Sequence, residues 1–233
     1  TALYASGIRY GTPWLTQRGF TEKDMNTIGD IIADLLFAIT PYTIDMRKGP
    51  SPRAKVDFAV LEEAKIKIRE LADNAGVDLE FTRSGYPHYY YIDDKAASTG
   101  KIAALDLKGL RIPHFVDYVF SSDAEKLKPG EEQPTVLHTP QKSITGSLSR
   151  TGMDSYRFAF PTEDFGLAAT FLRALSDGYI SFGDDLPSRI PGPIIVEEAQ
   201  EPPATIAAGA AIAAEKPWFI GQQVSSGKAL PVF

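Results

Sequence analysis

Fifteen residues at positions 6–20, SGIRYGTPWLTQRGF, gather the most chemically suggestive side chains of the chain. Arg9 stands between Gly7 and Gly11, and Arg18 is followed by Gly19. A guanidinium offers a planar fork of donors that fits a carboxylate or a phosphate through two parallel hydrogen bonds. The glycines permit backbone angles and close approaches that a side chain forbids. The spacing matches neither GxxxxGK[ST] nor GxGxxG, so a nucleotide phosphate loop is not indicated. An arginine in a turn also has an ordinary use, pairing with a nearby acid or a backbone carbonyl. Local physics leaves both roles open.

Little else in the sequence offers chemistry. Cysteine is absent, which excludes disulfides, thiolate metal sites and a cysteine nucleophile. His88, His114 and His138 are widely separated and show no HxH or HExxH spacing, so no metal site is expected. Asp184–Asp185 could face a cation, but an oxygen-ligated ion needs about six ligands and a lone pair in a loop is ordinarily solvated. The 24 basic and 30 acidic residues give a net charge of −6, with no basic run for nucleic acid. No apolar run is long enough to span a membrane, and no signal peptide is visible. These features lead to the expectation of a soluble, intracellular, cytoplasmic protein with neither nucleic-acid nor membrane partners.

The elements that must position these residues follow from periodicity. Residues 1–20 lack a helical period and read as strand and loop. Thr21 caps a helix, with Asp24 three residues on, and Met25, Ile28, Ile31, Ile32, Leu35, Leu36 and Ile39 form one stripe until Pro41. RKGPSPR, 47–53, reads as a polar loop. A second amphipathic helix runs from about Asp57 to Asn74, with Val60, Leu61, Ala64, Ile68 and Leu71 on one side and Glu62, Lys65, Lys67 and Arg69 solvated, stopped near Gly76. FTRSGYPHYYYIDD reads as an aromatic turn and short strand. Shorter segments follow from Lys101: strands in KIAALDL, PTVLHT, SITGSLSR and SYRFAFP, a short helix in IPHFVDYVF, a helix over 163–177 and a strand in YISF. This order predicts an α+β fold of two small domains, each a mostly antiparallel sheet with helices packed on one face. The domains are placed at 1–93 and 94–186. Residues 187–233, rich in proline and alanine, form a tail or linker laid on the globule with Trp218 and Phe219 as anchors.

SGIRYGTPWLTQRGFTEKD resembles a segment of serine hydroxymethyltransferases that reads TSGIRxGTPAxTTRGF before an acidic helix. The likeness extends over about residues 3–90 and implies that family's C-terminal small domain. It further implies that Arg9 binds the carboxylate of the amino-acid substrate, supported by the loop residues Ser6, Gly7, Gly11, Thr12, Thr16 and Arg18. Tyr10, Trp14 and Gln17 depart from the pattern, and Trp14 for alanine implies altered packing. Enzymes of that family carry pyridoxal phosphate on a lysine well upstream of this motif. No lysine of this chain stands in such a context, so no cofactor is expected in this chain alone, whereas pyridoxal phosphate and tetrahydrofolate are implied for a parent protein.

Residues 95–182 are similar to the first part of the glycine-cleavage aminomethyltransferase, or T-protein, chiefly through LKPG and the spacing of the strands around it. That family places an aspartate in a hairpin after a double glycine, where it assists transfer to tetrahydrofolate. The corresponding stretch here is SITGS, Ser143–Ser147, with no carboxylate. The resemblance therefore implies a degenerate relative that binds or scaffolds, and Ser147 is no convincing nucleophile. AAEKPWFIGQ and KALPVF are similar to a connector before a T-protein domain in fused proteins, or simply form a docked tail.

Together these readings describe a fragment of a one-carbon transferase acting on glycine or serine and tetrahydrofolate. It is expected to be inactive alone, with no catalytic residue or metal of its own. The alternative is a non-catalytic folate-binding or interaction scaffold. A severed small domain would expose apolar surface, which allows a homo-oligomer.

Overall fold

A computed structural model describes residues 10–46, 49–75, 90–124, 126–180 and 192–207. The chain opens on a short helix, α1 (Pro13–Gln17), where a strand or loop was expected. Pro13 suits a first helical position because its missing N–H is not needed there. Helix α2 (Glu22–Phe37) starts where its cap predicts: the Asp24 carboxylate accepts from the Thr21 backbone N–H at 2.7 Å and from its hydroxyl at 2.8 Å.

The predicted polar loop at 47–53 is largely a strand instead. β1 (Ile39–Met46) and β2 (Gly49–Val56) form an antiparallel hairpin, running from Ile39↔Val56 to Met46↔Gly49. Pro50 and Pro52 disguise β2 as a loop. In a two-stranded ribbon each strand has an open edge, where a missing N–H costs no ladder bond. Helix α3 (Phe58–Asn74) follows at once, with the Asp57 carboxylate accepting from the Val60 N–H at 3.1 Å. It ends at Ala75; Gly76 lies outside the described residues, as does most of the aromatic turn.

The second part is built on β3 (Ile102–Lys108), α4 (Ile112–Val119), β4 (Glu132–His138), β5 (Ser143–Arg150), β6 (Ser155–Pro161), a 3-10 turn (Thr162–Asp164), α5 (Phe165–Asp177) and β7 (Ile195–Glu198). The sheet order is β4-β5-β6-β3-β7 and every pairing is antiparallel. The α+β class holds. Alternation sends Leu105, Leu107, Leu148, Phe158 and Phe160 to the face shared with α4 and α5. There Phe158 stacks on Phe160 at 4.8 Å and meets Phe120 at 4.7 Å. The opposite face carries Ala104, Ala159, Ser147 and the Asp106–Arg157 pair.

Tyr179 and Ile180 are not a strand: Gly178, at φ 77°, ends α5 in the left-handed region, and the Tyr179 carbonyl accepts from Val56 N–H at 2.8 Å. Within the proline-rich tail, β7 instead supplies the edge strand, pairing Leu105↔Glu198 through Lys108↔Ile195 with β3. Four residues between prolines and acids carry too weak a period to announce a strand. Trp218 and Phe219 lie outside the described residues.

The helix α3 belongs as much to the second core as to the first. Phe58 is only 2% exposed and packs edge-on against Phe171 of α5 at 5.4 Å. Its other side meets α2 across a shallow cleft lined by Ile31, Asp34, Val60 and Ala64.

Candidate functional site

The described part of the segment richest in candidate chemistry, residues 10–20, contains a tight helical turn. The Thr12 carbonyl accepts from the N–H groups of Leu15 and Thr16, both at 3.0 Å, and from the Thr16 hydroxyl at 3.3 Å. Phe20 N–H closes the turn on Leu15 O at 3.1 Å, and Gly19 takes φ 86°, a conformation that favours glycine. Gly11, Thr12, Thr16 and Arg18 are all exposed. Among the described residues Arg18 forms no ion pair, so its guanidinium faces solvent. Ser6, Gly7 and Arg9 lie outside the described residues, as does the Asp184–Asp185 pair.

The hairpin SITGS occupies β5. Gly146 points into the core, where a Cβ would run into the Ala159 carbonyl and lie 2.7 Å from Phe158 Cε2. Ser147 points to the opposite face, is 1% exposed, and its hydroxyl finds no hydrogen-bond partner among the described residues. His138 serves Ser143 rather than Ser147, with Nδ1 to Oγ at 2.8 Å across the β4–β5 turn. Burial pushes the His138 imidazole below its ordinary pKa, which favours the neutral ring. Asp164, which could otherwise serve as a base near this turn, is held by Lys142. Among the described residues no group of three or more potential ligands is placed to hold a metal ion.

A third cluster escaped the sequence reading. Glu62, expected on the solvated side of α3, is 4% exposed and pairs with Lys65 at 3.1 Å. Lys65 also donates to the Tyr90 carbonyl. One turn on, Arg69 grips Asp93 at 2.5 Å, reaches Asp94 at 3.4 Å and lies 3.9 Å above the Tyr91 ring. The 62–65–69 spacing puts all three on one helix face, and the acidic pair 93–94 is the signal in the sequence that hints at a partner. Lys67 behaves as expected, pairing with Glu63 at 2.7 Å on the exposed side. The cluster ties α3 to the segment leading into β3, so its geometry is that of a brace.

Burial raises the Glu62 carboxyl above the usual range despite Lys65, and burial likewise raises Asp177, against the pull of Arg173 and Lys65. A carboxyl raised on folding favours the folded state below its unfolded pKa, and that advantage is lost as pH rises through the folded value. Glu62→Gln mimics the protonated form at every pH. Its stability relative to the parent chain should therefore climb between about pH 4 and pH 7, which denaturant titrations at the two pH values would read. A constant difference would mean that Glu62 titrates normally.

Comparison with known proteins places a likeness on part of this chain. No family model matches it. A serine hydroxymethyltransferase of Cutibacterium acnes is 35% identical over 72 residues, covering 31% of this chain and 14% of the relative. Part of this chain resembles serine hydroxymethyltransferases. A probable serine hydroxymethyltransferase of Rickettsia bellii is 41% identical over 64 residues, covering 28% of this chain and 13% of that protein. The chain thus spans about one seventh of the length of these curated relatives. Among solved structures, the glycine cleavage system aminomethyltransferase T of Bartonella henselae aligns with 32% of this chain and 22% of its own, at 18% identity and a TM-score of 0.30. No helix among the described residues is long and apolar enough to cross a membrane.

Proposed function

We propose that this chain works as part of a one-carbon transferase that handles glycine or serine together with tetrahydrofolate. The observation that carries the reading is the SGIRYGTPWLTQRGF motif, joined to 35% and 41% identity with hydroxymethyltransferases over stretches of 72 and 64 residues. In this reading Arg9 grips the carboxylate of the amino acid through its planar fork. Among the described lysines, Lys65 is committed to Glu62 and the Tyr90 carbonyl, and Lys142 to Asp164. In this reading the cofactor and amino-acid turnover belong to a longer polypeptide.

Arg9→Lys tests the assignment. Losing a two-pronged charged contact costs about 1.5–3 kcal/mol, which is roughly a tenfold to hundredfold loss of affinity for glycine or serine in the complete polypeptide. Unchanged affinity, measured by calorimetry, would sink the role given to Arg9.

A non-catalytic module is the second reading, favoured by SITGS, which offers no carboxylate and buries Ser147. Calorimetric titration of this chain with tetrahydrofolate separates the two. Binding that survives Arg9→Lys but is lost on altering β5 supports the module. Absence of binding to both folate and glycine leaves the interaction scaffold standing.

A further inference from the structure

No further strand joins the β1–β2 ribbon among the described residues, so each of its strands keeps an open edge. Such an edge is a row of unpaired N–H and C=O groups on which another chain can add a strand. The composition of β1 raises that hazard. Residues 39–44, ITPYTI, hold no charge and are rich in β-branched and aromatic residues, as are segments that stack between chains. Ile39, Thr40 and Thr43 are exposed.

The register shows which N–H groups point outward. Opposed residues of an antiparallel pair alternate between those that exchange two hydrogen bonds and those whose N–H and C=O face away from the partner strand. Asp57 N–H donates to Ala38 O at 3.2 Å, just beyond the ribbon. Val56 N–H, opposite Ile39, instead leaves the ladder for the Tyr179 carbonyl at 2.8 Å. Ile39↔Val56 is therefore an outward-facing pair. Pro41↔Ala54, Thr43↔Pro52 and Asp45↔Pro50 follow at steps of two residues and face the same way. Every proline of the ribbon thus falls on an outward position, where it removes a donor from an open edge without removing a bond of the ladder.

We propose that Pro41, Pro50 and Pro52 close the two edges of this ribbon to strand addition, so that it stays a two-stranded arm and does not zip onto other chains. On the outer edge of β2, positions 50 and 52 have no donor and Val56 gives its own to Tyr179, which leaves Ala54. On β1, Pro41 interrupts the uncharged run, and an added strand would meet its ring where a donor is needed. The inference rests on the register and is independent of the role given to Arg9.

The triple variant Pro41→Thr, Pro50→Thr, Pro52→Thr restores the three donors with a residue suited to strands. In sedimentation velocity it should self-associate at least about tenfold more tightly than the parent chain, with unchanged helical circular dichroism. Hydrogen exchange should show its Thr43 and Ala54 amides gaining protection as concentration rises, which places the new contact on the ribbon edges. Ala54→Pro occupies the remaining outward position of β2 and should keep the circular dichroism and sedimentation of the parent. A triple variant that associates no more tightly, or through amides other than these, overturns the inference. So does a parent chain whose Thr43 and Ala54 amides gain protection with concentration, since strands would then add despite the prolines. An Ala54→Pro chain that loses sheet signal overturns it as well, because position 54 would then face inward.

Discussion

Phe58→Ala should lower the unfolding free energy by about 3–5 kcal/mol, the range for deleting a large aromatic from a packed core. Phe58 begins α3, yet its ring lies among residues of the five-stranded sheet and its helices, edge-on to Phe171. Truncation removes its own burial and leaves a cavity against α5. The brace formed by Lys65 and Arg69 would remain, but partly exposed ion pairs contribute little by themselves. Urea denaturation followed by circular dichroism reads the loss. Hydrogen exchange should show α3 opening more readily than β5 or β6. A loss below about 1 kcal/mol would mean that α3 is not part of the second core.

The other large effect is expected at Gly146. Alanine there would bring its Cβ against the Ala159 carbonyl, with Phe158 Cε2 at 2.7 Å and Cζ at 3.1 Å. The obstacle is the backbone of the neighbouring strand β6, so relief requires the two strands to separate or the Phe158 ring to leave its stack with Phe160. Overpacking of this kind costs about 1–3 kcal/mol, and the blocked backbone places Gly146→Ala toward the upper end. Gly11→Ala, with open space around the added carbon, is the matched control and should fall within about 0.5 kcal/mol of the parent. Thermal or urea midpoints of the two variants decide the matter. Equal midpoints would refute the close approach of β5 and β6.

The elements easiest to read in the sequence are those whose limits are set by neighbouring residues. Thr21 with Asp24, Asp57 and Gly178 fix the ends of α2, α3 and α5 through hydrogen bonds made within a turn or two. β5 and β6 alternate in their first halves and are buried on both faces further along. β2 and β7 escape such reading because their pairing partners, not their own residues, make them strands. Pro50 and Pro52 are tolerable only beside β1 with an open edge, and Ile195–Glu198 becomes a strand only beside β3.

The same division holds for the candidate sites. Glycines around an arginine are visible in the bare order of residues, and so is the hydroxymethyltransferase likeness that gives Arg9 a proposed partner. Burial is not. Charge pattern alone places Glu62 and Lys65 in water, but the segment bearing Tyr90, Tyr91, Asp93 and Asp94 returns across α3 and encloses them. Sequence alone determined the α+β class, the starts of α2 and α3 and the chemistry available at residues 6–20, because local hydrogen bonding and side-chain periodicity act over a few positions. By contrast, α1 and the end of α2 before β1 were not legible in it. Only the tertiary structure decided that Phe58 joins the second core and that Ser147 is buried, because each depends on chain segments distant in sequence.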